Sequence, residues 1–207
     1  VCNKTGKFIV FEGLDRCGKT TQISLLSERL KKEGIPHFTT REPSDNPIGR
    51  LIRSAVHGEC EFTNETLALL FAADRHQHAA REIIPALTRG EHVICDRYYY
   101  SNMAYQSFDA ESLELVVKHN DEVMALCRPD ITFFVNVSPA ECMKRINNRN
   151  NGTSTYYETL YELELIYDRY MAAIDRMKTT DNIVFVGSDT ATPEEVVEQM
   201  WTYFHTL

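Results

Sequence analysis

The nine residues from Gly13 to Thr21, Gly-Leu-Asp-Arg-Cys-Gly-Lys-Thr-Thr, constrain this chain more than any other stretch. They match G-x-x-x-x-G-K-[ST] without a gap, which makes 13–20 a phosphate loop. Phe8-Ile9-Val10-Phe11 ahead of it reads as a short buried strand. Behind it, Gln22 to Leu30 has helical spacing, with Ile23, Leu26 and Leu30 on one face. In that context the glycines let the backbone curl so that successive N–H groups point at phosphate oxygens. A helix N-terminus adds its dipole, and Lys19 adds a full charge. Thr20 supplies a hydroxyl suited to a Mg²⁺ ion bridging two phosphates. The chain is expected to bind a nucleoside triphosphate.

The remaining chain alternates short apolar strands with helices. Strands are expected at His37–Thr40, His92–Asp96, Ile131–Asn136 and Ile183–Val186. Helices are expected at Ile48–Val56, from an Asn64 N-cap with a kink at Pro85 and a stop at Gly90, at Ser101–Phe108, Ser112–Leu126, Pro139 to about Arg149, about Tyr157–Met177, and from Pro193. The asparagine-rich, apolar-free stretch at about 147–157 reads as a lid. The pattern predicts an α/β domain spanning 1–207, with a five-stranded parallel sheet flanked by helices on both faces and a helical lid. In such sheets ligands bind beyond the carboxyl ends of the strands, where Gly13, Arg41 and Asp96 fall.

Composition removes several classes of function. With 43% apolar and 25% charged residues the chain is an ordinary globular one, and its apolar runs are far short of a membrane span. A net charge of −8 speaks against non-specific nucleic-acid binding. Six scattered cysteines without a C-x-x-C pair suit reduced thiols, hence a cytoplasmic setting, and the first seven residues carry no apolar signal region. A targeting segment ahead of Val1 stays open.

Asp96-Arg97-Tyr98 follows the strand ending at Asp96. An aspartate there can hold Mg²⁺ through water, and Arg97 would project toward an acceptor. A GTPase would need N-K-x-D after a later strand, and none occurs. A small kinase fits better, with ATP on one side and an arginine-lined acceptor site on the other.

At this point the chain resembles the thymidylate kinases, within the superfamily of P-loop NTPases. The matching stretches are Phe11 to Thr21, Thr40-Arg41-Glu42-Pro43, Leu70-Phe71-Ala72-Ala73-Asp74-Arg75, Asp96-Arg97-Tyr98 with Ser101, Ala104-Tyr105-Gln106, and Arg128-Pro129-Asp130. The resemblance implies transfer of the ATP γ-phosphate to dTMP, giving dTDP and ADP. It places ATP on Gly13, Leu14, Asp15, Arg16, Cys17, Gly18, Lys19, Thr20 and Thr21, and Mg²⁺ on Thr20 and Asp96. For dTMP it implies Phe71 stacking on thymine, Arg75, Ser101 and Gln106 at the base edge, and Arg53 near the base. Arg97 would grip the phosphate, Tyr105 would pack near C2′, and Glu42 and Pro43 would shape the pocket. Asp15 would take the 3′-hydroxyl, and Tyr157 would close over the nucleoside.

Arg16 inside the loop resembles the family type that keeps its catalytic arginine there, with Lys19, Asp15 and Arg97 as partners and Arg149 as an auxiliary. Arg145 is either an adenine-stacking residue or an ordinary helix-surface arginine. Tyr99 and Tyr100 are bulky for their positions, and Ser107 to Glu111 replaces a small, glycine-rich stretch, which predicts an altered acceptor range. Other deoxynucleoside monophosphate or deoxynucleoside kinases on the same scaffold, and a non-catalytic switch, are the alternatives. The resemblance also implies a homodimer joined through helices on the acceptor side.

Overall fold

The computed structural model describes residues 5–149 and 159–205. In chain order these form β1 (Phe8–Glu12), α1 (Lys19–Lys32), β2 (His37–Arg41), α2 (Pro47–Val56) and α3 (Asn64–His78). A π-helical segment (Ala79–Ile83) leads to α4 (Ile84–Thr88), β3 (His92–Asp96), α5 (Tyr99–Gln106) and α6 (Ala110–Leu126). The chain continues as β4 (Ile131–Val135), α7 (Pro139–Arg149), α8 (Leu160–Met177), β5 (Ile183–Val186) and α9 (Pro193–Phe204).

The five strands are all parallel, in the order β2-β3-β1-β4-β5. Every residue of β1 and β4 is buried. Successive side chains of a strand point to opposite faces, so burial of all of them means that helices cover the sheet on both sides. Phe8, Ile9, Val10 and Phe11 are each 0% exposed, and burying side chains of this size contributes about 1.5–3 kcal/mol apiece. β1 lies between β3 and β4, with Phe11 level with Asp96. The loop leaving β1 therefore emerges beside the loop leaving β3, and the two halves of the site meet there.

Several element boundaries differ from the sequence pattern by a residue or two, and at three places the reason is visible. Thr63, not Asn64, caps α3, because its backbone is extended and its hydroxyl accepts from Thr66 N at 3.3 Å. Ahead of Pro85, which has no N–H to give to the preceding turn, the helix widens into the π-segment. Helix α5 starts at Tyr99 and ends at Gln106 instead of running from Ser101 to Phe108. The buried Glu12 carboxylate takes Tyr98 N at 2.8 Å and Ser101 N at 3.1 Å, fixing the start two residues earlier. Helices α6, α8 and α9 each open on a reciprocal capping box, from Asp109, Thr159 and Thr192. Among the described residues no helix is long and apolar enough to cross a membrane.

Candidate active site

The phosphate loop is shaped by backbone conformations that favour glycine. Gly13 has φ +136°, and a Cβ there would lie 2.9 Å from Val135 O and 3.0 Å from Cys17 Sγ. Gly18, at φ +110°, is the N-cap of α1 and brings no side chain to occupy the first-turn N–H groups. Those donors and the helix dipole make an anion seat. Leu14 and Cys17 turn into the core, whereas Asp15 and Arg16 are exposed. Arg16 holds a left-handed φ of 66°. Lys19 lies inside the curl, donating to Gly13 O at 2.9 Å and Leu14 O at 2.8 Å. Thr20 and Thr21 occupy the exposed first turn of α1. Arg145, on α7, donates to Cys17 O at 3.2 Å and is held by Glu141 at 3.0 Å, so this arginine does lie against the loop.

At the end of β3, Asp96 has a buried Oδ1 with no hydrogen-bond partner among the described residues. A buried acceptor without a partner is costly, and a cation or its hydration water would satisfy it. The next residue, Arg97, has φ 70°, and its N donates to Phe11 O at 2.9 Å. That turn swings the guanidinium across the end of β1. Its Nη1 donates to Ser101 Oγ (2.9 Å) and the Tyr170 hydroxyl (3.1 Å), and its Nη2 donates to Asp15 Oδ1 (2.6 Å). The guanidinium also lies 5.2 Å from the centre of the Tyr105 ring. Tyr105 donates its hydroxyl to Asp15 Oδ2 at 3.1 Å. Partial desolvation of the carboxylate by the crowded loop would raise the Asp15 pKa, but the Arg97 and Lys19 charges and the Tyr105 hydroxyl outweigh it and hold the group at about 2.

Between α2, α3 and α5 opens a cavity of about 230 Å³, lined by Asp15, Pro43, Arg53, Val56, Leu67, Phe71, Arg97, Ser101, Tyr105 and Gln106. Eight of the eleven acceptor residues expected from the sequence are thus brought together. Val56 and Leu67 were not anticipated; as apolar helix residues they carried no signal distinguishing cavity wall from core. Arg53 braces the rim by donating to Pro43 O and Ser44 O, both at 2.8 Å. Asp74, fully buried, fixes the same loop through Ser44 N (2.8 Å) and Ser44 Oγ (2.7 Å).

Glu42 and Arg75 do not line the cavity. Glu42 lies beneath it, 2.8 Å from Arg75 Nε and 3.2 Å from His78 Nδ1. Arg75 is 1% exposed, and its remaining nitrogens bond Asn102, Asn120 and Tyr98 O. A guanidinium so engaged supports the floor and does not lie among the residues of the cavity wall.

Glu12 and Tyr170 are the principal residues that sequence reasoning missed. Glu12 is 1% exposed and takes Ser101 Oγ at 2.6 Å and the Tyr170 hydroxyl at 3.1 Å. Burial pushes its carboxyl above the usual range despite these bonds. Glu12 precedes the loop glycine and could have been suspected from that place. Tyr170, in the middle of α8, has no local signal.

Tyr99 and Tyr100 do not narrow the acceptor cavity. Both are buried, and their hydroxyls donate to Asp181 Oδ2 at 2.5 and 2.8 Å, with Arg128 on the other carboxylate oxygen. Of Ser107 to Glu111, the first three residues form the α5–α6 turn and Ala110 and Glu111 open α6; Phe108 in the turn is exposed and lies beneath Arg169. Tyr157 and most of the expected lid lie outside the described residues, as does the side chain of Arg149.

A family model described as thymidylate kinase matches residues 11–200. A probable thymidylate kinase of Pyrococcus horikoshii is 40% identical over 164 residues, 77% of this chain and 78% of that protein. A thymidylate kinase of Leptospira interrogans is 38% identical over 172 residues, 81% of each chain. One from Rickettsia africae is 36% identical over 187 residues, covering 86% of this chain and 91% of its own. Because the family match runs through the phosphate loop, the Arg97 turn and the acceptor cavity alike, the chain belongs to the thymidylate kinase family, ATP-dependent enzymes that phosphorylate dTMP.

Proposed function

We propose a division of labour among these residues for the transfer of the ATP γ-phosphate to dTMP, giving dTDP and ADP. The loop N–H groups, the first turn of α1 and Lys19 hold the ATP phosphates. Arg16, exposed at the loop's crest, clamps the group in flight, where positive charge counts more than covalent help. Arg145, already against the loop, borders the nucleotide. Thr20 and Asp96 would hold Mg²⁺, which neutralises charge on the phosphates; the unpartnered Asp96 Oδ1 supports that assignment.

On the acceptor side Phe71 stacks on thymine, with Gln106 and Ser101 at the base edge and Arg53 at the rim. Arg97 binds the phosphate of dTMP, and Asp15 and Tyr105 position the sugar. The observation that carries this reading is the Asp15–Arg97–Tyr105 cluster, which joins the phosphate loop directly to the cavity. We further propose a homodimer through the α2–α3–α6 side, supported by Leu51, Leu69 and Leu115, which are 41%, 52% and 49% exposed. The free thiols of Cys17, Cys60, Cys95, Cys127 and Cys142 suit a reducing, cytoplasmic setting.

The test is a coupled ADP-release assay with Mg-ATP against dTMP, dUMP, dGMP, UMP and thymidine. Strong preference for dTMP with thymidine inert is expected. Turnover of thymidine but not dTMP would contradict the role given to Arg97.

A further inference from the structure

Building on the reading of Arg97 as the grip on the acceptor phosphate, we propose that Cys95 is a positioning residue for that grip. Its thiol holds the left-handed Arg97 turn by donating S–H to the Arg97 carbonyl.

A residue at φ 70° turns its flanking peptide planes in directions that a strand does not, so the ladder cannot satisfy both of them. The amide of Arg97 stays in the ladder, where its N donates to Phe11 O at 2.9 Å. The carbonyl leaves it. The N–H that follows, that of Tyr98, goes to Glu12 Oε1 at 2.8 Å. A backbone carbonyl needs a donor of its own, and Cys95 Sγ stands 3.1 Å from Arg97 O. The carbonyl can only accept, so the shared proton belongs to the sulfur. Arg97 is thus tied on both sides of its Cα, to Phe11 through nitrogen and to Cys95 through oxygen.

The thiol is suited to this place. Cys95 is 0% exposed in the middle of the sheet, level with Val10 on β1 and Thr40 on β2. It packs as a small apolar side chain and still carries a weak donor. Burial and the charges of Glu42, Asp96 and Glu12, with Arg75 opposing them, push the thiol well above its ordinary range. It therefore keeps the proton that the carbonyl needs. A purely apolar side chain would fill the same space and leave that carbonyl unpaired. The Cα tied in this way carries the guanidinium that reaches Ser101 Oγ at 2.9 Å and Asp15 Oδ1 at 2.6 Å. An arginine avoids left-handed backbone when nothing enforces it. Loss of the thiol proton lets the turn relax and swings the guanidinium away from the acceptor phosphate.

The experiment measures calorimetric binding of dTMP, thymidine and ATP to the full chain and to Cys95→Ala and Cys95→Ser. The first variant removes the donor, and the second keeps one on a shorter bond. Cys95→Ala should weaken dTMP binding by about tenfold, while thymidine and ATP bind within about twofold of the wild type. Cys95→Ser should recover most of the loss. Infrared spectra give a second readout, because a donated S–H stretch lies at lower frequency than a free one. A displaced band should be present in the wild type and absent from Cys95→Ser. An unchanged preference for dTMP over thymidine in folded Cys95→Ala, or an equal loss for all three ligands, would overturn the thiol's role alone. Should Cys95→Ala not fold, the wild-type spectrum decides, and absence of the displaced band overturns the bond. If the wild type itself does not prefer dTMP to thymidine, the reading of Arg97 fails, and the role of Cys95 with it.

Discussion

Arg97 Nη2 lies 2.6 Å from Asp15 Oδ1, so the arginine that ends β3 is tethered to the loop that leaves β1. The link depends on two left-handed residues, Arg97 at φ 70° and Arg16 at φ 66°, which aim their neighbours across adjacent parallel strands. Such conformations cost on the order of 1–3 kcal/mol each for a side-chain-bearing residue and persist where surrounding bonds over-determine them. At Arg97 the N bond to Phe11 O and the Glu12 and Tyr170 contacts do so.

Arg16→Ala should lower kcat by about 10²-fold or more while ATP affinity changes far less, because the guanidinium acts on charge that develops during transfer. Single-turnover kinetics beside direct ATP binding separate the two quantities. Equal losses in both would reduce Arg16 to an anchor.

Gly13→Ala should abolish nucleotide binding and lower stability by about 1–3 kcal/mol, since the new methyl meets Val135 O at 2.9 Å in a backbone conformation that side chains avoid. Thermal melts with and without ATP test this. Wild-type ATP stabilisation in the variant would contradict the loop geometry.

Much of this site was legible because its signals are local. A glycine loop, an aspartate-arginine pair after an apolar strand and a phenylalanine on a helix can each be read within a few residues. Arg75 could be located but not fully interpreted, because its partners Glu42, Asn102 and Asn120 come from three other segments. Tyr170 was invisible for the same reason, and Asp74, though it stands in a matching stretch, gave no sign that it would fix Ser44. Helix limits failed where a distant group intervened, as Glu12 does at the start of α5. Residue size was a poor guide at Tyr99 and Tyr100, whose hydroxyls go to Asp181 and not to the cavity.

His78 should make stability fall as pH rises. Burial lowers its pKa, but the hydrogen bond and charge of Glu42, aided by Glu82 and Asp74, outweigh it and raise the pKa above the ordinary value of 6.5. The contribution is fully present below the unfolded pKa and is lost as pH passes through the raised folded one. His78→Gln should flatten the Tm profile on the alkaline side of pH 6.5. A wild-type profile that rises through the same range, with the variant parallel to it, would contradict the pairing with Glu42.

The central claim is that Arg97 grips the phosphate of the acceptor. Calorimetric binding of dTMP and thymidine to the wild type and to Arg97→Met tests it most directly. The wild type should bind dTMP about 10²-fold more tightly than thymidine, a gap of roughly 2.7 kcal/mol that a charge-assisted arginine–phosphate contact can supply. In the folded variant the two ligands should bind nearly alike, with thymidine affinity little changed. Retention of the full preference for dTMP in Arg97→Met would place the acceptor phosphate elsewhere and contradict the account.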